Sequence, residues 1–309
     1  MPNTWVTIMG SFVADLTFRT PALPEWGETT MGSEFRLGPG GKGSNQAVAA
    51  ARLGGRVSFI SKLGRDLFGD LARSTYALEG IDTRCCFETA DHATGGAAIV
   101  VHETTGENAI VVVPGACFTM TSDEVDRAAP LIADSSVFVT QLELPVPIVM
   151  RGLELARRSG VPTVLNPAPA TSLPDAVYAL CDYFTPNESE AATLIGQPVT
   201  TLDEAARAAD VFLARGVRNV IITLGAQGAL VKNAQLMEHV RAVDAGPVVE
   251  TTGAGDAFNG GLAIGISEGL DIVAASRFGC ATAGISVTRH GTAASMPTRA
   301  EVDALLRKS

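Results

Sequence analysis

A glycine-rich segment, residues 251–261 (TTGAGDAFNGG), combines a backbone suited to phosphate with one carboxylate, that of Asp256. Gly253 and Gly255 have no side chains, so the backbone can approach a phosphate closely, and the free N–H groups where a helix starts bind negative charge. We predict that this backbone forms an anion hole and that Asp256 takes the proton of an attacking hydroxyl. The alternative is that Asp256 only caps the helix that follows.

A second glycine cluster, residues 38–46 (GPGGKGSNQ), leads into an alanine-rich helical pattern. It is not a Walker A loop, because Lys42 is followed by Gly43 rather than by Ser or Thr. No acidic residue follows at the distance that a dinucleotide-binding fold needs. Lys42 and Asn45 on a tight backbone suit the recognition of a polyhydroxyl compound, and a purely structural turn before a helix is the alternative.

Further polar residues follow predicted strands, at the edge where parallel sheets bind their ligands. Asp15 and Glu143 each come after an apolar run, although isolated acidic residues there are often only solvated loop residues. Asn187 and Glu190 lie one helical turn apart, a spacing that can hold a hydrated Mg²⁺ beside phosphates. Residues 223–228 (TLGAQG) place glycines after a strand, as a nucleotide-binding loop does.

Short β-branched runs alternate along the chain with helical patterns that end at glycines. The predicted strands are residues 6–9, 57–60, 137–140, 163–165, 183–185 and 220–223, and the predicted helices are 45–53, 149–158 and 203–214. Strands and helices in alternation imply right-handed crossovers and a mostly parallel sheet. We therefore predict an α/β fold.

Two regions interrupt this alternation. Residues 94–113 read as two strands around a turn at 104–107, and residues 17–37 read as extended chain with glycine and proline punctuation. Together they predict a small separate sheet, a lid formed by about residues 14–38 and 94–113, which would exclude water from phosphoryl transfer. No repeat or linker divides the chain, so residues 1–309 are predicted to be one domain.

The composition narrows the classes of partner. The chain has 309 residues, of which 46% are hydrophobic, and a formal net charge of -10. This charge gives no basic field for nucleic acid or for an anionic membrane surface, and no apolar run reaches membrane-spanning length. We expect a cytoplasmic protein whose five cysteines are reduced and structural, since neither their number nor their spacing suggests a disulfide framework or a zinc site.

Taken together, these motifs resemble the ribokinase-like (pfkB) family of carbohydrate kinases, most closely its ribokinase branch, over nearly the whole chain. The resemblance rests on GSFVAD (10–15), GGKGSNQAVAAARLG (40–54), QLELP (141–145), NPAPA (166–170), TPNESEA (185–191), TLGAQG (223–228) and TTGAGDAFNGG (251–261). It implies a three-layer sandwich, with a central mostly parallel sheet flanked by helices and a small β-sheet lid.

The resemblance also implies roles for residues of this chain. The base would be Asp256, with the backbone of Gly253, Ala254 and Gly255 as the anion hole. Sugar contacts would come from Asp15, Gly41, Lys42, Asn45, Glu143 and Asp256. ATP would contact Asn187, Thr223, Gly225, Gly228, Gly255 and Cys280, with Mg²⁺ organised indirectly by Asn187 and Glu190. An activating K⁺ would lie among Glu250, Thr252, Ser286, Arg289, Gly291 and Ser295, several of them through backbone carbonyls.

Three positions depart from the pattern of the family. Val13 stands where an Asn near the sugar is common, which removes a polar partner and puts ribose itself in question. Glu250 stands where Asp is usual, and its longer side chain would weaken dependence on K⁺. Cys280 replaces a His that often lies near the adenine, a change of packing more than of chemistry.

The sequence thus predicts an ATP-dependent kinase that phosphorylates a primary hydroxyl of ribose or a similar small sugar. A nucleoside kinase of the same fold is an alternative, and a non-catalytic sugar or nucleotide sensor is another. A phosphosugar kinase would need basic residues in the lid, where only Arg19 and Arg36 are available. Edge strands pair readily, so we also predict a homodimer that joins the lids of two subunits.

Overall fold

The computed structural model describes residues 5–308. Its strands are β1 (Trp5–Met9), β2 (Val13–Thr20), β3 (Glu34–Gly40), β4 (Arg56–Gly64), β5 (Asp82–Thr89), β6 (Thr94–His102), β7 (Asn108–Gly115), β8 (Val137–Gln141), β9 (Thr163–Asn166), β10 (Tyr183–Phe184), β11 (Asn219–Thr223), β12 (Ala229–Asn233) and β13 (Met237–Val240).

Eleven α-helices lie within the described residues. They are α1 (Lys42–Arg52), α2 (Leu67–Glu79), α3 (Ser122–Arg127), α4 (Ala129–Ala133), α5 (Val146–Arg158), α6 (Asp175–Tyr178), α7 (Glu188–Ile195), α8 (Leu202–Ala214), α9 (Ala254–Ser267), α10 (Ile272–Ser286) and α11 (Arg299–Leu306).

The central sheet has nine strands in the order β13-β12-β11-β10-β9-β8-β1-β4-β5. Every pair from β11 to β5 is parallel, and only the β11-β12 and β12-β13 pairs are antiparallel. Alternate side chains of its strands enter two cores, as the period of two in a strand requires: Val137 and Val139 face one core and Phe138 the other. Helices α1, α2 and α9 to α11 cover the first face and α3 to α8 the second, so the predicted three-layer sandwich is confirmed.

Helices α1 and α9 cross at very close range. A Cβ atom at Gly260 of α9 would lie 2.6 Å from Cβ of Ala49 and 3.0 Å from the carbonyl oxygen of Gln46, both in α1. Real Cβ atoms do not come this close, so only glycine fits at this crossing. The contact brings the start of α1 against the start of α9.

The predicted start of α1, at residue 45, is wrong by three residues. The helix begins at Lys42 after Gly41, so Lys42 and Asn45 lie in its first turn rather than in a loop. Glycine and serine are poor helix formers, which hides this turn in the sequence. The turn is held from outside, because the backbone N–H of Lys42 donates to the carboxylate of Glu143 at 2.9 Å.

The second sheet has four strands in the order β3-β2-β6-β7. Its β2-β6 pair is parallel and the other two pairs are antiparallel. Residues 94–113 do form two strands around a turn, as predicted, and residues 17–37 contribute parts of β2 and β3 joined by an irregular segment, residues 21–33. Strand β7 lies at the edge and exposes four consecutive apolar side chains, from Ile110 to Val113.

Within residues 5–308, no helix is long and apolar enough to cross a membrane. The five cysteines are all free.

Candidate active site

Asp256 is the third residue of α9 and is only 6% exposed. Its Oδ2 accepts a hydrogen bond from Nδ2 of Asn45 at 2.9 Å, and its Oδ1 accepts one from Nε2 of Gln46 at 3.1 Å. The N-cap of α9 is Gly253, in the left-handed conformation with φ 84°. The alternative that Asp256 only caps the helix is therefore wrong.

Burial and nearby polar groups set the proton affinity of Asp256. Burial is the largest effect and raises its pKa, the Lys42 ammonium and the hydrogen bonds from Asn45 and Gln46 lower it, and the charge of Glu143 raises it. The pKa is raised on balance. A carboxylate in this state can accept a proton from a hydroxyl more readily than an exposed one, which suits a general base.

A second glutamine, Gln141, fixes the orientation of the Gln46 amide. Gln141 donates from Nε2 to Oε1 of Gln46 at 2.6 Å, so only the Nε2 group of Gln46 is left to face Asp256. Gln46 also lies 3.3 Å from Oδ1 of Asn166. The sequence reading assigned no role to Gln46 or Gln141, although both lie in the GGKGSNQ and QLELP motifs.

Space for a transferred group lies beside the start of α9. A Cβ atom at Gly255 would meet nothing within 4 Å, so the backbone there faces an open volume. The first N–H groups of a helix have no partners within it and carry partial positive charge. The backbone of Gly253, Ala254 and Gly255 therefore fits the predicted anion hole.

Asp15 lies in β2 near the other predicted sugar ligands. Its Oδ2 accepts a hydrogen bond from the Thr292 hydroxyl at 3.1 Å. Burial is the main cause that raises the pKa of Asp15 to about 6, the Thr292 hydrogen bond lowers it, and the charges of Glu143, Asp256 and Glu250 raise it. Thr292 was not predicted as part of the site, because nothing in its neighbourhood of the sequence indicates a contact 277 residues away.

Glu143 joins the start of α1 to the end of β8. One of its oxygens, Oε2, accepts from the backbone N–H of Lys42 at 2.9 Å and also from the Ser11 hydroxyl. Burial lowers the pKa of the Lys42 ammonium, but the charges of Asp256, Glu143 and Glu190 outweigh it and leave the pKa raised. Lys42 is thus a cation that interacts with three carboxylates, those of Asp256, Glu143 and Glu190.

A cavity of about 460 Å³ lies between the four-stranded sheet and residues 248–252 and 290–294. Asp15, Glu250, Thr252 and Gly291 line it. The other predicted sugar ligands do not line this cavity and are connected to each other instead, Lys42 to Glu143 and Asn45 to Asp256. The sheet predicted as a lid therefore covers the Asp15 end of the predicted sugar site.

Four of the residues predicted to bind ATP, Asn187, Thr223, Gly225 and Gly228, lie after β10 or at and after the end of β11, whereas Gly255 is in α9 and Cys280 in α10. Thr223 forms a bridge to Asn187, and the turn that follows has Gly225 and Gly228 at positive φ. Cys280 is buried in α10, and this burial raises the pKa of its thiol to about 12. A thiol of that pKa stays neutral, as expected for a packing role.

Asn187 and Glu190 form a capping box at the start of α7, a role that their three-residue spacing allows and that was not predicted from the sequence. Glu190 uses Oε2 to accept from the Asn187 backbone, at 2.8 Å. Burial is the main cause of the raised pKa of Glu190, with Lys42 acting in the opposite direction. Its other oxygen, Oε1, is left for a hydrated cation, so the pair fits an indirect Mg²⁺ site.

The residues predicted around K⁺ lie in the segment before α9, at the end of α10 and in the segment that follows α10. Glu250 accepts from the backbone N–H of Gly291 at 3.1 Å, so its longer side chain does reach the opposite loop. The hydroxyls of Ser286 and Ser295 donate to backbone carbonyls, of Ala283 and Thr292 respectively. The Arg289 side chain pairs with Glu301 and turns away from this role. Carbonyl, hydroxyl and carboxylate oxygens are the donors that a hard cation requires, so the set fits.

Comparisons with known proteins agree on one family. Residues 3–299 match the pfkB family carbohydrate kinase profile. The ribokinase of Haemophilus influenzae is 40% identical over 296 residues, 96% of each chain, and the deoxyribokinase of Salmonella typhimurium is 36% identical over 294 residues, 95% of each chain. Among solved structures, the ribokinase of Arabidopsis thaliana complexed with ribose and ATP superposes with a TM-score of 0.91 at 29% identity, over 100% of both chains.

Proposed function

The chain belongs to the pfkB family of carbohydrate kinases, and on this premise we propose that it transfers the γ-phosphoryl group of ATP to a primary hydroxyl of ribose or a similar small sugar. As a carbohydrate kinase it is a phosphotransferase with an alcohol group as acceptor. One observation carries the proposal: a buried carboxylate, Asp256, stands beside the start of α9, where the backbone at Gly255 faces an open volume.

In the proposed reaction, Asp256 removes the proton of the sugar hydroxyl. The hydroxyl oxygen forms a bond to the γ-phosphorus, and the bond from that phosphorus to the β–γ bridging oxygen breaks, which releases ADP. Asn45 and Gln46 hold one carboxylate oxygen each, so the base is fixed before the sugar arrives. The N–H groups of residues 253–255 stabilise the charge on the transferred group.

We propose that Asp15, Glu143 and the first turn of α1 orient the sugar. Asp15 lines the cavity, and its carboxylate is mostly ionised above about pH 6, where it can accept two hydroxyl hydrogen bonds. Lys42 and Asn45 supply donors from the first turn of α1. Acceptors on one side and donors on the other suit vicinal hydroxyls, each of which both donates and accepts.

We propose that Asn187 and Glu190 hold a hydrated Mg²⁺ and that the loops around Glu250 and Gly291 hold K⁺. Bound Mg²⁺ neutralises charge on the ATP phosphates. A cation beside residues 253–255 would add positive potential to the anion hole. This chain supplies the oxygen donors for both ions, and no step above depends on a geometry for either.

The identity of the sugar depends on Val13, which is apolar and 4% exposed. A polar partner at that position would favour a sugar with a hydroxyl opposite it, and an unpaired hydroxyl buried against valine costs roughly 1–3 kcal/mol. This gives 2-deoxyribose, the substrate class named by the deoxyribokinase relatives, a specific reason to be tested beside ribose.

ADP formation by the purified protein with Mg-ATP and K⁺ tests the proposal across ribose, 2-deoxyribose, fructose, other pentoses and common nucleosides. Turnover of a free sugar is expected, and the same panel with Asp256→Asn controls for contaminating kinases. Turnover of nucleosides but of no free sugar would mean that the phosphoryl acceptor is a nucleoside rather than a sugar. Sugar or ATP binding without turnover would indicate a sensor.

We also propose that two subunits pair through their four-stranded sheets. Strand β7 is an edge strand with exposed Ile110, Val111, Val112 and Val113, and such an edge invites another copy. A symmetric pair would cover the same apolar strip on both subunits.

A further inference from the structure

Arg52, the last residue of α1, reaches across to a loop that contacts Asp15. We propose that Arg52 is a positioning residue, which holds residues 291–296 (loop 291–296) in the conformation that places Thr292 against Asp15. The role of Asp15 as a sugar ligand belongs to the proposed function, and in that respect the inference rests on it. The contacts that hold the loop stand independently of any activity.

The guanidinium of Arg52 makes two sets of hydrogen bonds at once. Nη1 donates to the carbonyl oxygens of Ala293 at 3.1 Å, Ala294 at 3.3 Å and Met296 at 2.9 Å. Nε and Nη2 donate to the Glu79 carboxylate, at 3.0 and 2.7 Å to Oε1. The planar fork of arginine can satisfy two partners in fixed directions, whereas a lysine ammonium is a single point of charge.

Loop 291–296 carries contacts to two parts of the proposed site. The Thr292 hydroxyl lies 3.1 Å from both Asp15 Oδ2 and the Pro39 carbonyl oxygen, so one proton is shared between two acceptors of the sugar pocket. The backbone N–H of Gly291 donates to Glu250 at 3.1 Å. A small displacement of the loop would therefore change Asp15 and Glu250 together.

Helix α1 thus acts on both sides of the pocket. Its first turn carries Lys42 and Asn45, and its last residue, about 15 Å further along the helix axis, holds loop 291–296. The helix is rigid, so the distance between the two sides is set by one element. The loop itself has only a single short 3-10 turn, Ala293–Ser295, and the carbonyls of Ala294 and Met296 accept from Arg52, outside the loop.

The surroundings of Arg52 distinguish it from an ordinary surface ion pair. The side chains of Arg52 and Glu79 are 27% and 12% exposed. The pair of Arg84 and Asp82 at the edge of the sheet is 68% and 24% exposed, and Arg84 contacts no loop of the site. Arg84 is therefore a matched control for the loss of a guanidinium that pairs with a carboxylate.

The titration of Asp15 makes the proposed role of Arg52 measurable as a change in the pH dependence of activity. The charged groups that face it are Glu143, Asp256 and Glu250, which raise its pKa, and the Thr292 hydrogen bond lowers it. His290, which pairs with Glu250 at 3.3 Å, and Arg19, Arg36 and Glu34 also line its cavity. Loss of the Thr292 contact alone leaves the repulsion unopposed, so the pKa of Asp15 must rise further.

The experiment compares Arg52→Lys with Arg84→Lys in the full-length protein. Lysine keeps the charge opposite Glu79, so folding is retained, and it cannot reach Glu79 and three carbonyls together. Hydrogen exchange of peptides that contain residues 288–298 is measured by mass spectrometry, and kcat/KM for the sugar is measured from pH 5 to 9. We expect roughly tenfold faster exchange in Arg52→Lys and an acid limb of kcat/KM displaced to higher pH. Arg84→Lys should match the unsubstituted protein in both.

Unchanged exchange of residues 288–298 in Arg52→Lys would overturn the inference. So would faster exchange with an unmoved acid limb, because Arg52 would then stabilise the loop without positioning Asp15. If the unsubstituted protein turns over no sugar of the panel, the proposed function fails, and the exchange measurement by itself decides whether Arg52 holds the loop.

Discussion

Gln46 donates a hydrogen bond to Oδ1 of Asp256 at 3.1 Å, and its own amide oxygen accepts one from Gln141 at 2.6 Å. An amide that is free to rotate can present either its oxygen or its nitrogen, and the oxygen would repel a carboxylate. Gln141 removes that choice. Gln141 thus fixes the orientation of an amide that contacts the proposed base, without contacting the base itself.

Replacement of Gln141 by leucine, which is similar in size, should reduce kcat about tenfold, the value of one hydrogen bond to a charged group. The pKa of Asp256 should rise when Gln46 is released, so the acid limb of kcat should move to higher pH. A pH profile of kcat measures both effects. Gln197→Leu, on the exposed surface, is the matched control. An unshifted acid limb of kcat in Gln141→Leu would contradict the effect of Gln141 on Asp256 through Gln46.

Asp256→Asn should abolish nearly all turnover, with a loss of about a thousandfold, because an amide cannot accept the hydroxyl proton. ATP affinity, measured by calorimetry, should be largely kept. The control is Asp271→Asn, where an Asp caps α10 by accepting from Ala274 N–H at 2.8 Å and Asn can cap equally well. Normal turnover by Asp256→Asn would refute the assigned base.

Asp15→Asn should make the protein more stable at neutral pH and impair its use of sugar. The folded pKa of Asp15, about 6, lies above its ordinary value of 3.8, so ionisation of the carboxyl opposes folding fully above pH 6 and no longer does so below about pH 3. The free energy of unfolding, from urea titrations, should exceed that of the unsubstituted protein by on the order of 1 to 3 kcal/mol at pH 7.5.

The pH dependence of the free energy of unfolding tests the sign of this difference. The advantage of Asp15→Asn should shrink as the pH falls through 6 and should disappear only below about pH 3, under both pKa values, where the unsubstituted carboxyl is protonated in both states. A constant difference across this range would mean that burial of the charge at Asp15 does not cost stability.

Val111→Lys should convert the protein to a monomer if the four-stranded sheets pair. The side chain is 68% exposed within one subunit, so the substitution leaves folding intact while it places a charge on the edge strand. Met237→Lys, on the exposed edge strand of the large sheet, is the control. Light scattering at micromolar concentration measures the oligomeric state. If the unsubstituted protein is already a monomer, the proposed dimer is contradicted.

The sequence was most informative where burial dictates a pattern. All six predicted strands lie in the central sheet, because strands covered on both faces are continuous apolar runs. Strands β5, β12 and β13 were not predicted. Of these, β5 and β13 lie at the two ends of the sheet, where partial exposure breaks up the apolar pattern, and β12 has only three buried residues, Ala229 to Val231. Local periodicity carries no signal for strands of that kind.

The residues of the candidate site also divide into those that the sequence predicts and those that it does not. Glycine-rich helix starts were readable in the sequence, because a backbone that must approach a phosphate restricts residue type locally. Thr292, Gln141 and Arg52 were not, since each acts through side-chain hydrogen bonds to residues far away in the chain. Contacts of this kind depend on the packing of whole elements, and no spacing along the chain indicates them.

The crossing of α1 and α9 at Gly260 has a practical consequence for anyone who engineers this enzyme. Replacing a helical glycine by alanine is a standard way to gain stability, worth about 0.5 to 1 kcal/mol where space allows. At Gly260 the added methyl group would lie 2.6 Å from Ala49 and would wedge the two helices apart. The substitution would separate Asn45 and Gln46 from Asp256 and so damage the chemistry from a position a full helical turn away.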